Sequence, residues 1–122
     1  MEQDTSLESC FNKAIGHFEA GDMEQAETVC RDILATAPDY GGAFHLLGVI
    51  YYQQGKIEAS IDLVKKAISQ EPSNFMYYNS LGNLLEETGN LDEAISSYEK
   101  ALELNPSDTR ARAALWSLEP AR

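Results

Sequence analysis

The sequence predicts an all-α fold built from a repeated helix-turn-helix unit, because two kinds of marker recur every 34 residues. Proline and glycine are the residues that most often end or separate helices. The markers are Pro38, Pro72 and Pro106, together with Gly21, Gly55 and Gly89. Between them, apolar residues follow helical spacing on two separate faces. The pattern therefore indicates three copies of one unit, followed by a seventh helix.

The stretch from residue 77 to residue 106 shows both faces of one unit. Leu81, Leu84 and Leu85 form the first face, and the second consists of Ala94, Ile95, Tyr98, Ala101 and Leu102. The small residues Gly48 and Gly82 are predicted to admit the second helix of their units. The predicted core of the second unit is Phe44, Leu47, Tyr51, Ile61, Val64, Ala67 and Ile68.

The helix boundaries follow from the same pattern and from capping residues. We expect helices over residues 6–20, 23–36, 43–54, 57–70, two more in the third unit, and 108–118. Side chains that can accept a backbone hydrogen bond precede several of these helices. The predicted caps are Thr5 with Glu8, Asp22, Ser73, Asn90 with Glu93, and Ser107.

The third unit resembles the tetratricopeptide repeat family. It carries the family's pattern at Tyr78, Leu81, Gly82, Leu85, Ala94, Tyr98, Ala101 and Pro106. The resemblance implies a right-handed superhelical array in one domain, residues 1–122. Its repeats would span about 7–40, 41–74 and 75–108, with a capping helix at about 108–118. In this family the first helix of each repeat lines a concave groove.

A narrower resemblance concerns residues 19–40 and 44–68. They are similar to the N-terminal repeat region of bacterial proteins that carry transferase domains. In such proteins the repeats would recruit substrate. Lys13 and Gly16, at positions where later units carry apolar residues, predict that the array starts here. Trp116 is predicted to fold over the other end and shield it.

Charge and composition restrict the function classes. The net charge of -11 argues against binding nucleic acid or an anionic membrane surface and permits a basic partner. The acidic N-terminus lacks the features of a secretory signal, and residues 46–52, the longest apolar run, are too short to span a bilayer. We therefore expect a cytoplasmic protein.

The two cysteines lie opposite each other in the first helix pair. Cys10 and Cys30 are interpreted as buried thiols, with a redox-switchable disulfide as the alternative. His17 is about 10 Å from Cys10 along the helix axis, too far to complete a metal site. No nucleophile, phosphate-loop or metalloprotease motif is present, so we expect no catalysis and no cofactor.

The resemblance places a candidate peptide-binding groove on the first helices of the repeats. Its predicted residues are Phe11, Ile15, Phe18, His45, Val49, Tyr52, Met76, Asn79, Asn83, Glu86 and Glu87. Arg110 and Ala113 would be added by the capping helix. The groove is apolar in its first half and acidic in its second, which suits a peptide with apolar anchors and a basic residue. The predicted function is therefore a protein-interaction module.

Two alternatives to an open peptide groove remain at this point. Phe11, Ile15 and Phe18 could instead pack between neighbouring repeats, and His45 is interpreted as a plain groove residue. Phe11, Phe18 and Tyr52 would equally serve a self-assembling scaffold. The clamp by which chaperone-binding members hold a C-terminal carboxylate is disfavoured, because no cation stands at the corresponding positions Phe11, Ile15, Leu46, Met76 and Ser80.

Overall fold

The computed structural model describes residues 6–118, and over that range it consists of seven α-helices without a strand. The all-α helical repeat array predicted from the sequence is confirmed. The helices are α1 (Leu7–Glu19), α2 (Met23–Thr36), α3 (Gly41–Gln53), α4 (Ile57–Gln70), α5 (Phe75–Glu87), α6 (Leu91–Leu104) and α7 (Thr109–Leu118).

Each helix pair is joined by the same turn around a glycine. Gly21, Gly55 and Gly89 have φ angles of 84°, 82° and 83°, a left-handed conformation that costs glycine little. The residue after each glycine donates its backbone N–H to a carbonyl five residues earlier, as in a Schellman motif. These bonds are Asp22 to His17 at 2.8 Å, Lys56 to Tyr51 at 2.9 Å, and Asn90 to Leu85 at 2.9 Å.

Three of the predicted caps, those of α1, α5 and α7, are shifted by one residue. Ser6 caps α1 by accepting from the backbone N–H of Ser9 at 3.1 Å, whereas Thr5 lies outside the described residues. Asn74 rather than Ser73 caps α5, and its carboxamide oxygen accepts from Met76 N–H at 3.1 Å. Both cap residues have extended backbone, the conformation that aims a short polar side chain at the first turn.

Asp22 and Asn90 occupy the N-cap positions of α2 and α6, as predicted, but the predicted side-chain caps are absent, because neither side chain bonds to its own helix. Their ψ angles of 73° and 72° belong to the preceding glycine turn rather than to extended backbone. The Asn90 carboxamide instead donates to the Thr88 hydroxyl at 2.9 Å. The glycine turn therefore sets the entry to α2 and α6 through backbone bonds.

The cap of α7 is Asp108, not Ser107. Its Oδ1 atom accepts from the backbone N–H groups of Arg110 at 3.1 Å and Ala111 at 3.4 Å. Asp108 is only 8% exposed, so this cap is buried while Ser107 remains in solvent. A carboxylate at this position also interacts favourably with the helix dipole.

The chain forms two compact units, one up to Gln70 and one from Glu71 onward. In the first unit, α3 and α4 approach closely because Gly48 has no side chain. A Cβ there would lie 2.9 Å from Val64 Cγ2, and the Ser60 hydroxyl donates to the Gly48 carbonyl at 2.6 Å. Of the predicted core of the second repeat, Leu47, Val64 and Ala67 are buried, and the other four residues are half-buried.

In the second unit, Gly82 of α5 admits Tyr98 of α6. A Cβ on Gly82 would lie 2.9 Å from two carbons of the tyrosine ring. Leu118 of α7 is buried and Leu115 is half-buried. That this unit and the first form a single domain stays a prediction.

The predicted position of Trp116 is wrong. The residue is 81% exposed and therefore shields no apolar surface. On α7 the buried positions are Ala111 and Leu118, whereas Trp116 shares an exposed stripe with Arg112, four residues earlier.

Candidate functional site

The first unit carries six of the predicted groove residues, all of them half-buried. Phe11, Ile15 and Phe18 lie on α1, and each packs against the core formed by helices α1 to α3. His45, Val49 and Tyr52 lie on α3. Each of the six therefore combines packing with partial exposure to solvent.

Phe11 contributes mainly to packing between α1 and α3. Its ring meets Tyr40 edge to face, with centroids 5.5 Å apart. It also fills the space over Gly42, where a Cβ would lie 3.0 Å from Phe11 Cζ. For this residue the structure favours the packing interpretation over that of an open binding position.

His45 is neutral at physiological pH. Burial lowers the pKa of its imidazole from 6.5 to about 4. Within residues 6–118, no group of three or more His, Cys, Asp or Glu side chains is arranged to hold a metal ion. A neutral imidazole on α3 can contact a partner but adds no positive charge to this surface.

The second unit contains a polar depression that we name the α5–α7 cleft. Its volume is about 520 Å³. Its lining residues are Asn79, Ser80, Asn83, Glu86, Tyr98, Arg110, Ala113, Ala114 and Ser117. Three predicted site residues, Asn79, Asn83 and Glu86, therefore meet here with Arg110 and Ala113 of α7. Met76, although 54% exposed, and Glu87 are not among the lining residues.

Asn79 lies deep in the cleft rather than projecting from it, since only 3% of the residue is exposed. Its carboxamide nitrogen donates to Asp108 Oδ2 at 2.5 Å, the same carboxylate that caps α7. Among the described residues, nothing donates a hydrogen bond to the buried Asn79 Oδ1 atom. An unsatisfied buried acceptor of this kind is costly and rare.

Tyr98 of α6 and Glu86 of α5, two lining residues of the cleft, are joined by a hydrogen bond. The Tyr98 hydroxyl donates to Glu86 Oε1 at 3.1 Å. Burial, followed by the nearby Glu86 carboxylate, raises the pKa of Tyr98, so its phenol stays protonated and remains a donor. The helical periodicity of the sequence predicts only that Tyr98 is a core residue. Its hydroxyl contact depends on the direction of α5 and has no signal in the local sequence.

The two cysteines are free thiols in different surroundings. Cys10 is half-buried, whereas Cys30 is fully buried. Desolvation, followed by the nearby Glu27 carboxylate, raises the pKa of the Cys30 thiol to about 12. Cys30 is thus an inert core residue, as predicted, whereas the prediction that Cys10 is also buried is wrong.

No helix within residues 6–118 has the length and apolar character needed to cross a membrane. The residues from His45 to Thr109, more than half of the chain, match the family model of the tetratricopeptide repeat. A search of the curated proteins finds no match.

Solved structures share the fold over nearly the whole chain. An O-GlcNAc transferase of Thermobaculum terrenum matches with a TM-score of 0.87 and 29% identity over 97% of this chain, which spans only 23% of the transferase chain. The first repeat domain of Spaghetti, bound to an HSP90 peptide, matches with a TM-score of 0.88 and 19% identity, covering 98% of this chain and 94% of that one.

A third similar structure is the type III secretion chaperone SycD of Yersinia enterocolitica, in complex with a peptide of the translocator YopD. Its TM-score is 0.86 at 19% identity, and the match covers 98% of each chain. The family model, the repeated glycine turns and these neighbours agree. The chain belongs to the tetratricopeptide repeat family.

Proposed function

We propose that this chain is a non-catalytic protein-interaction module that binds a peptide or partner segment through the first helices of its repeats. The observation that carries the proposal is the α5–α7 cleft, in which polar and charged side chains of α5, α6 and α7 line one depression. The family supports it as well, because two structural neighbours of the same fold hold peptides.

The chemistry of the cleft suits a peptide. The exposed Asn83 carboxamide and the Glu86 carboxylate can accept hydrogen bonds, whereas Arg110 can donate them. A peptide supplies N–H donors and carbonyl acceptors along its main chain. A basic side chain in the ligand would fit beside Glu86 and Glu87, and such a ligand would also be attracted by the net charge of -11.

The first unit offers apolar contacts for the same class of ligand. Ile15, Phe18, Val49 and Tyr52 keep part of their apolar surface open to solvent. Such side chains can anchor apolar residues of a peptide. Phe11 packs against Gly42 and so helps to hold α1 and α3, which carry these four side chains, together.

The same charge distribution disfavours other ligands. A C-terminal carboxylate clamp would need cations at positions occupied by uncharged residues, one of which, Leu46, is only 7% exposed. The acidic balance also opposes binding to nucleic acid and anionic membranes, and a cytoplasmic location belongs to the same proposal.

A second candidate is a substrate-recruiting module of a larger transferase. The 29% identity to the Thermobaculum terrenum enzyme favours it, together with the small share of that enzyme that the chain spans. The transfer reaction would then be catalysed by residues of the larger protein outside this repeat region. Both candidates use the repeats to bind a protein segment.

Peptide selection from a displayed library, followed by affinity measurements, tests the proposal. Ala113 is exposed in the cleft, so Ala113→Arg should fill the space and weaken binding about tenfold or more without disturbing the fold. Ala35→Arg on α2 is the matched control, because Ala35 is also an exposed helical alanine. Equal affinity for both variants, or failure to select any peptide, would count against the cleft as the binding site.

A further inference from the structure

Trp116 is the most exposed large apolar side chain of residues 6–118, and the cleft does not use it. An indole buries about 200 Å² in a protein contact, so an exposed tryptophan gives up a large favourable hydrophobic free energy. Arg112 lies one helical turn before Trp116 on the same exposed face of α7. Its guanidinium donates one hydrogen bond to the Pro106 carbonyl at 2.5 Å, and its other N–H groups remain available as donors. Together they form an aromatic and cationic knob on α7.

A groove lies between α1 and α2. Its volume is about 310 Å³, and we name it the α1–α2 groove. Its lining residues are Leu7, Cys10, Lys13, Val29, Asp32, Ile33 and Thr36. Most of the lining is apolar, with Lys13 on one helix and Asp32 on the other. The groove can thus enclose an aromatic ring and pair a cation with Asp32.

Charge determines which surface of a copy can approach this groove. Among the seven helices of residues 6–118, α7 alone carries more basic than acidic residues, with Arg110 and Arg112 and no carboxylate. On α2, Arg31 pairs with Glu27 at 2.9 Å, which leaves Asp32 and Glu24 as the excess charge. Copies with a net charge of -11 repel one another in most orientations, and α7 offers the approach that avoids this repulsion.

We propose that this chain associates head to tail, with Trp116 of one copy inserted into the α1–α2 groove of a second copy and Arg112 beside Asp32. The contact is heterologous, so a pair of copies keeps one free knob and one free groove, and association can continue along a chain of copies. Neither Trp116 nor Arg112 lines the α5–α7 cleft, so this proposal and the peptide-binding proposal can fail separately.

The chain contains a single tryptophan, which makes Trp116 a specific reporter. Sedimentation velocity and tryptophan emission should be recorded over a micromolar to millimolar concentration series. We expect the mean mass to rise with concentration and the emission to shift to shorter wavelength in parallel, because the indole leaves water. A chain that stays monomeric, with unshifted emission at the highest concentration, overturns the proposal and leaves Trp116 to a different partner.

Two variants separate the knob from the groove. Trp116→Ala should weaken association about thirtyfold or more, the usual effect of truncating an aromatic hot spot. Val29→Glu places a charge in the groove and should do the same. Met76→Ala is the control, since Met76 is also an exposed large apolar residue and lies on α5. Association of Trp116→Ala at the native strength would overturn the proposal.

Mixing the two variants tests the head-to-tail arrangement itself. Each variant should be monomeric alone, whereas the mixture should form one-to-one dimers and grow no further, because one intact knob meets one intact groove. Dimers of Val29→Glu alone would show tryptophan pairing and contradict the groove. Circular dichroism checks that both variants are folded, and Asp32→Lys, at an exposed position, serves as a second groove variant if Val29→Glu is not.

Discussion

At the residue scale, the two helices of each repeat pack closely where a small residue on the first helix faces a residue on the second helix whose size differs between repeats. Gly48 faces Val64 and Gly82 faces Tyr98, and each pair repeats after 34 residues. In the first repeat the same positions hold Ala14 and Cys30, both fully buried in one cluster. Cys30 is smaller than Tyr98, which leaves room for the methyl group of Ala14 in the first repeat, because close packing limits the summed volume of the two residues.

Gly82→Ala should destabilise the protein by about 1–3 kcal/mol, because the added methyl group collides with a tyrosine ring held by its bond to Glu86. Gly16→Ala is the matched control, since a Cβ on Gly16 meets nothing within 4 Å. That change should stabilise α1 by about 0.5–1 kcal/mol. Urea unfolding measures both, and effects of the same sign would contradict the close approach of α5 and α6.

The two thiols should differ in reactivity. A pKa of about 12 lowers the thiolate fraction of Cys30 about a thousandfold below that of an ordinary cysteine at neutral pH, and burial slows its reaction further. Titration with a thiol reagent should modify Cys10 in the native protein and both cysteines after denaturation. The Cys10→Ser variant should show no rapid reaction. Loss of both thiols on mild oxidation would instead support the disulfide alternative.

At the element scale, α7 is attached to α5 by one buried carboxylate. Asp108 bonds the first turn of α7 through Oδ1 and the Asn79 carboxamide of α5 through Oδ2. One side chain therefore completes a helix terminus and fixes the residue at the base of the α5–α7 cleft. Any change at Asp108 should affect both features.

Asp108→Ala should cost about 2–4 kcal/mol, the sum of a lost cap and a buried amide left without its acceptor. Asn74→Ala removes the half-buried cap of α5 and should cost only about 1 kcal/mol. A double-mutant cycle with Asn79→Ala should show coupling of about 0.5–3 kcal/mol, because the two side chains share one bond. Additive effects in thermal unfolding would show that the bond adds nothing to stability.

At the scale of the whole molecule, apolar packing rather than charge pairing holds the fold. The described ion pairs, such as Lys100 with Glu103 at 3.1 Å, lie at the surface, where such pairs contribute about 0–1 kcal/mol. The buried residues are mostly alanine, leucine, isoleucine and tyrosine. Stability should accordingly respond to pH chiefly through groups that are themselves partly buried, and among the described groups with a shifted pKa His45 is the one that titrates below neutral pH.

His45 should make the protein less stable as the pH falls from 6.5 to about 4. Above 6.5 the imidazole is neutral in both states, so it contributes nothing. Below 6.5 the unfolded chain binds a proton that the folded protein accepts only near pH 4, so stability decreases by about 1–3 kcal/mol over this window.

The His45→Gln variant isolates this effect from that of the carboxylates. Its unfolding free energy, measured by urea titration at several pH values, should fall less steeply over the same window. Identical pH profiles for the variant and the native protein would contradict the lowered pKa of His45.

Much of this organisation could be predicted because its causes are local. A helix needs bonds four residues apart, and the glycine turn needs one residue with positive φ, so the period of 34 residues predicts α2 and α4 with the observed bounds. The caps at Ser73 and Ser107 were less predictable, because neighbouring polar residues compete and backbone geometry selects among them. The groove residues themselves remain a proposal.

The sequence by itself determined the repeat, the helix pairs and the small residues that let them approach, since these follow from spacing along the chain. Only the tertiary structure decided that Asn79 is buried against Asp108, that Phe11 covers Gly42, and that Trp116 faces solvent. Helical periodicity states which residues share a face. What a face meets depends on which distant helix lies beside it, and that is a property of the packed molecule.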